Sequence, residues 1–153
     1  MNKSLLVNKI TGYIQLTKPI IILSVTLSAL VGFVLARGAF SQGWMAVCIG
    51  VMLVAAGSSV FNQVQEAVPD KIMERTRRRP IPAGTISKTQ AIVFAIIISL
   101  SGVLILWFLA SPVSSLLAII TLAGYNLIYT PLKSITFFAL IPGAMVGALP
   151  PAI

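Results

Sequence analysis

One stretch of the sequence gathers most of the side chains able to do polar chemistry: Asn62-Gln-Val-Gln-Glu-Ala-Val-Pro-Asp-Lys-Ile-Met-Glu-Arg-Thr-Arg-Arg-Arg-Pro80. All three carboxylates of the chain, Glu66, Asp70 and Glu74, fall within nine positions here. Asn62 and Glu66 are four apart, the spacing that puts two side chains on one face of a helix end. Asp70 repeats the interval, but Pro69 cannot donate to residue 65 and pushes Val68 out of helical geometry. The predicted break at Val68 swings Asp70 round to face Asn62 and Glu66 across a small gap. Two carboxylates and an amide oxygen suit a hard ion such as Mg²⁺, which takes few protein ligands and completes its shell with substrate phosphates.

Arg75, Arg77, Arg78 and Arg79 follow. Arg75 and Arg79 are also four apart, so a helical turn directs both guanidinium groups to one side, where their forks match phosphate oxygens. Two plainer readings compete with this one. Arginines after a membrane helix commonly mark only topology or contact with anionic lipid. Acids among cations can also be loop ion pairs of small individual worth.

The elements that position these residues are read from where charge is absent. Apolar residues make up 58% of the 153 residues and charged residues 9%, against about 25% charged in soluble domains. A soluble chain of this length has too little interior for so much apolar surface. Uncharged stretches lie between Lys18 and Arg37, over 38–65, over 89–132 with a natural break at Ser111-Pro112, and from 134 to 153. At 1.5 Å rise per residue these predict an all-α, polytopic transmembrane bundle of about five helices. The predicted helices are residues 19–36, 44–66, 88–110, 113–130 and 135–153, with the polar loop at 67–87.

With a cytoplasmic N-terminus and loop 67–87, the inner segments hold Lys3, Lys9, Lys18, Lys71, Arg75, Arg77, Arg78, Arg79, Lys88 and Lys133, and the outer segments only Arg37. That asymmetry satisfies the positive-inside rule and places Trp44 and Trp107 at the outer interface. It also accounts for most of the +8 net charge without a nucleic-acid partner. Leu6, Ile10, Tyr13 and Ile14 recur at helical spacing among lysines, so the first 18 residues read as an interfacial helix rather than a cleaved signal. Pro19 suits the first turn of the helix that follows. Residues 79–84 are predicted non-helical, and Ser87-Lys88-Thr89-Gln90 reads as a capping box, with Ile86 stapled to Ala91. The chain has no histidine, which excludes a histidine metal site, a Ser-His-Asp triad and a histidine proton relay within it. Its single cysteine, Cys48, has no partner for a disulfide. Carboxylates for a metal and arginines for phosphate, at the inner mouth of an apolar bundle, point to a diphosphate with a lipid tail.

The pattern Asn62-x-x-x-Glu66-x-x-x-Asp70-x-x-Met73-x-Arg75-Thr76-x-x-Arg79-Pro80 resembles the first signature of the UbiA family of intramembrane prenyltransferases. Its Asn-Gln-x-x-Glu form is most similar to the branch that farnesylates haem. Leu16-Thr17-Lys18-Pro19, Tyr129-Thr130-Pro131-Leu132-Lys133 and Gly143-Ala-Met-Val-Gly-Ala-Leu-Pro-Pro151 extend the resemblance along the chain. It implies transfer of a farnesyl group from farnesyl diphosphate to a vinyl group of haem B, a substrate rather than a cofactor, in the haem A route. It further implies Mg²⁺ held by Asn62, Glu66 and Asp70. Arg75, Arg79 and Lys133 would offset charge on the departing diphosphate, and Lys18, Thr76 and Asn62 would bind substrate. Tyr125 and Tyr129, one turn apart, would face an allylic cation; they read equally as interfacial belt tyrosines.

Members of the family have about nine helices and a second acidic motif in the distal half. The resemblance therefore makes 1–153 the N-terminal half of a single transmembrane prenyltransferase domain, inactive alone and needing its C-terminal half. It also implies a bacterial inner membrane and other haem-biosynthesis enzymes as neighbours. Three positions depart from the pattern: Ile20 and Ser134 stand where the family often has Arg, and Ser59 where this branch often has Asn. They leave open an aromatic, quinone or chlorin acceptor. A non-catalytic membrane protein whose basic loop binds anionic lipid is the alternative of another class.

Overall fold

The computed structural model describes residues 3–37 and 43–153, with side chains from Val7 onward. The side chains of Lys3 and Leu6, part of the predicted interfacial stripe, lie outside the described residues. In chain order the helices are α1 (Lys3–Thr17), α2 (Pro19–Arg37), α3 (Trp44–Gln65), a short α4 (Ala67–Ile72), α5 (Lys88–Ile105), α6 (Pro112–Ala123) and α7 (Leu140–Gly147). A π-helical turn at Leu106–Ala110 prolongs α5. A second at Gly124–Tyr129 carries α6 into a last turn at Thr130–Leu132. Among the described residues there is no strand, and the chain is an all-α polytopic bundle.

Among the described residues, four helical stretches are long and apolar enough to cross a membrane: Pro19–Arg37, Trp44–Gln65, Lys88–Ala110 and Pro112–Leu132. The fifth predicted crossing is instead a shorter apolar segment, Phe137–Ala152. Thr136 is extended and its hydroxyl accepts from the Phe138 amide, which starts the segment as a 3₁₀ turn. Pro150 and Pro151 bring no amide N–H to its other end, which finishes in 3₁₀ geometry.

Two buried clusters hold the bundle. Val47, Val51 and Val54 of α3 meet Ala29, Leu106 and Ala118 at one end. At the other, Val60, Leu16, Ala91 and Ala95 enclose Ala67, Ile81 and Ile86, so the polar loop is folded down onto α1, α3 and α5. The outward faces stay apolar, with Ile20 84% and Leu35 79% exposed, as a surface meant for hydrocarbon requires. Helices α3 and α5 cross closely because Gly50, Gly57 and Gly102 lack side chains: a Cβ on Gly102 would lie 2.7 Å from the Gly50 carbonyl oxygen.

Local signals set the boundaries. Ser87 and Gln90 form both bonds of the capping box, and Ile86 and Ala91 are buried in one cluster. Ser111 caps α6 with Pro112 in its first turn. The break predicted at Val68 falls at Glu66 instead, which joins α3 to α4 at φ −83°, ψ 0°. Pro69 leaves the Gln65 carbonyl without a donor, so the helical ladder lapses there, while Val68 and Pro69 themselves sit in the first turn of α4. In α1 the predicted stripe divides. Ile10 and Ile14 are exposed, whereas Tyr13 packs on Phe94 with ring centroids 4.8 Å apart and Leu16 is fully buried. The reason is that α1 lies against α3 and α5, which claim its Tyr13 and Leu16 face.

Candidate functional site

The end of α3, the whole of α4, the loop after it and the end of α6 meet at one end of the bundle. Glu66 is the hub. Its Oε2 accepts from Asn62 Nδ2 at 2.7 Å, and its Oε1 lies 2.6 Å from Lys133 Nζ. Lys133 also donates to Asn62 Oδ1 at 3.1 Å, and the Thr130 hydroxyl stands 3.1 Å from the same oxygen. Arg79 pairs with Asp70 Oδ2 at 2.5 Å and lies 3.9 Å from Glu66 Oε2. Asp70 therefore approaches Glu66 through a shared guanidinium rather than across an open gap.

The loop is held in register from within. Thr76 is buried, and its hydroxyl donates to the Asp70 carbonyl at 3.0 Å, tying the turn to α4. Gly84 takes φ 76°, a left-handed turn that suits glycine, before the Ser87 cap. Residues 73–83 are turns, not helix, so Arg75 does not point with Arg79 as the spacing of four predicts. Arg75 and Arg78 are exposed, and Arg77 pairs with exposed Glu74 at 3.5 Å.

Lys18 stands between α1 and α2 at φ 53°, the one non-glycine residue at positive φ among those described. That conformation costs about 1–2 kcal/mol for a residue with a Cβ, and such outliers cluster at ligand sites. Its side chain lines an apolar cavity of about 180 Å³ between α2, α3, α6 and α7, with Val25, Val54, Leu122 and Tyr125 among the other walls. Tyr125 and Tyr129 lie on the π-helical turn, ring centroids 5.2 Å apart. Tyr125 faces the cavity, while Tyr129 is not among its walls and carries Lys133 Nζ 5.4 Å above its ring.

Charge balance shapes the two groups whose ionisation shifts. Burial pushes the Glu66 carboxyl up. The hydrogen bond and charge of Lys133, the Asn62 amide and the Lys18 charge outweigh that and hold it below the usual carboxylate value. Burial lowers the Lys18 ammonium, and the Arg79 charge adds to this, against the opposing pull of Glu66. Lys18, Arg79 and Lys133 exceed Glu66 and Asp70 by one positive charge.

Several polar residues here were not singled out from sequence. Thr130 orients the Asn62 amide. Gln63 Nε2 donates to the Leu16 carbonyl at 2.8 Å and Gln65 Nε2 to the Asn126 carbonyl at 3.0 Å, joining α3 to α1 and α6. Asn126 Nδ2 in turn reaches Ser58 at 2.8 Å. Their signal was present: amides and a hydroxyl inside apolar stretches, which are kept there only for a partner.

Two carboxylates and an amide oxygen are the right donor class for a hard divalent ion. Among the described residues no group of three or more His, Cys, Asp or Glu gathers. A metal would then rest on Asn62, Glu66 and Asp70 together with ligands from elsewhere, as Mg²⁺ does beside a phosphate.

Helices of membrane length around an apolar cavity, with Lys18 linking that cavity to a compact charged cluster, define an integral membrane protein with a polar site at one end of its bundle. The UbiA prenyltransferase family matches residues 25–153, and the chain belongs to it. Proteins named protoheme IX farnesyltransferase are similar to it. That of Colwellia psychrerythraea is 38% identical over 145 residues, 93% of this chain and 47% of that protein. That of Nitrosococcus oceani is 34% identical over 92% of this chain and 48% of its own length. That of Geobacter sulfurreducens is 46% identical over 110 residues, 72% of this chain and 40% of its own. The chain thus spans about half the length of these curated relatives. No solved structure matches it at a significant level.

Proposed function

We propose that the chain is the N-terminal half of a transmembrane prenyltransferase domain that transfers a farnesyl group from farnesyl diphosphate to a vinyl group of haem B. The observation that carries this is the convergence of Asn62, Glu66, Asp70, Arg79 and Lys133 near Lys18, which lines an apolar cavity, in a chain whose relatives bear that name. Asn62, Glu66 and Asp70 would hold Mg²⁺, which when bound would supply positive charge to offset the charge of the diphosphate. Arg79 and Lys133 turn to the phosphate oxygens and stabilise the leaving anion, charge that a preorganised site handles far better than water does. Lys18, already partly desolvated and without an ion pair among the described residues, adds a third cation at the cavity end. The cavity shelters the farnesyl chain, and Tyr125 presents its ring to the allylic centre. The diphosphate departs with the electron pair of the broken carbon–oxygen bond, the π pair of the vinyl group forms the new carbon–carbon bond, and water adds to the vinyl carbon left cationic and releases a proton.

Loop 67–87 and the N-terminus face the cytoplasm of a bacterial inner membrane in this reading, and the 153 residues alone are inactive. Joining the chain to the second half of a relative and following Mg²⁺-dependent diphosphate release from farnesyl diphosphate tests it. Release unaffected by Glu66→Ala with Asp70→Ala would remove the metal role. Haem B and a phenolic acceptor offered side by side identify the acceptor. The exposed Arg75 and Arg78 support a further contact of the loop with anionic headgroups, which vesicle co-sedimentation measures.

A further inference from the structure

The proposed site holds its cations against the same oxygens that a metal needs. Glu66 Oε1 lies 2.6 Å from Lys133, and Glu66 Oε2 accepts from Asn62 at 2.7 Å. Asn62 Oδ1 accepts from Lys133 at 3.1 Å, and Asp70 Oδ2 faces Arg79 at 2.5 Å. We propose that Lys133 and Arg79 are tethered competitors of the metal: they occupy its ligands until a diphosphate draws them away, so the anion creates the metal's binding site. The inference rests on the metal–diphosphate reading above and adds an order of assembly to it.

A tethered cation competes at high effective concentration, set by its short span rather than by the medium. A divalent ion arriving alone has to lose water and displace two such groups from the carboxylates. An anion arriving alone meets three cations against two carboxylates. Each cation that turns toward a phosphate oxygen frees a carboxylate oxygen behind it. Linkage makes the effect mutual, and couplings of this kind span about 5- to 150-fold in affinity.

Competition has a signature that simple support lacks: removing the competitor moves the two affinities in opposite directions. The chain joined to the second half of a relative, in lipid nanodiscs, is titrated with Mn²⁺ alone, read by loss of the free-ion paramagnetic resonance signal. Binding of inorganic diphosphate is measured separately, by equilibrium dialysis with chelator present. Lys133→Gln is expected to raise Mn²⁺ affinity at least about fivefold and to lower diphosphate affinity by a similar factor. Arg79→Gln is expected to give the same two signs, which keeps the test open should the first variant not fold. Lys133→Arg retains the charge and keeps Mn²⁺ affinity low. Unchanged or weaker Mn²⁺ binding in a folded neutral variant overturns the competition and leaves these residues as supports. Failure of every form, wild type included, to bind either Mn²⁺ or diphosphate overturns the underlying site reading instead.

Discussion

Lys133, just past the last turn of the α6 stretch, sets its ammonium 2.6 Å from Oε1 of Glu66, the residue that joins α3 to α4. The pair closes the mouth of the bundle between two helices that sequence order places far apart. Thr130 and Gln65 brace the same junction from either side, through Asn62 and the Asn126 carbonyl. A site braced this way keeps its charges in place without help from the exposed loop arginines.

Arg79 and Arg75 are expected to differ sharply on truncation. Arg79→Ala leaves Asp70, 5% exposed, without its partner. The cost expected is about 2 kcal/mol, below the fully buried figure because Arg79 is partly open to solvent. Arg75→Ala is expected to stay within about 0.5 kcal/mol, as for other exposed positions. Chemical denaturation in mixed micelles measures both, and equal losses would place Arg75 inside the cluster.

Acid should act through Glu66. Its folded carboxyl titrates below the ordinary value, so its contribution is complete above the unfolded pKa near 4.3 and is lost as pH falls through the folded one. Thermal melting followed from pH 7 to pH 3 is expected to show a steeper acid loss in the wild type than in Glu66→Gln. Parallel profiles would assign the acid loss to another group.

Lys18→Gly is expected to stabilise the fold while weakening the site. Glycine relieves the left-handed backbone, worth about 1 kcal/mol, and removes an ammonium whose burial and cationic neighbours already oppose its charge. A lowered folded pKa means that folding costs stability wherever the unfolded lysine is protonated, below its ordinary pKa of about 10.4, so the gain from removing it is present at pH 7. Melting temperature should rise as inorganic diphosphate affinity falls. A fall in both would mean that Lys18 supports the fold rather than a ligand.

Gly102→Ala is expected to cost about 1–3 kcal/mol, because the new Cβ meets the Gly50 carbonyl at 2.7 Å and the Val54 amide nitrogen at 2.9 Å. Neither is a flexible side-chain end, so Val54→Ala is expected not to rescue it. Thermal stability of the single and double variants decides the matter.

Much of this architecture is local, and local features were legible in the sequence. The four long helices follow from uncharged runs of membrane length, and the Ser87–Gln90 cap from residues three apart. Asn62 and Glu66 share a face because both end one helix. The same periodic logic misled for Arg75 and Arg79, since it presumes a helix where the loop makes turns around buried Thr76. It also misplaced the break near Pro69, whose missing amide acts on the Gln65 carbonyl, four residues back.

What the sequence determined alone is four of the five membrane-length helices it predicts, their caps, and the gathering of every carboxylate into one short stretch. Hydrophobicity and hydrogen-bond periodicity act along the chain, so they can be read along it. The tertiary structure alone decided which cations meet those carboxylates. It chose Lys133 from the far end of the chain and Arg79 over its neighbours, and set Lys18 at the cavity through a strained backbone. Those choices depend on how α3 and α6 pack and how the loop folds onto them. Contacts between distant segments follow from the shape of the packed bundle, which no spacing within one segment encodes.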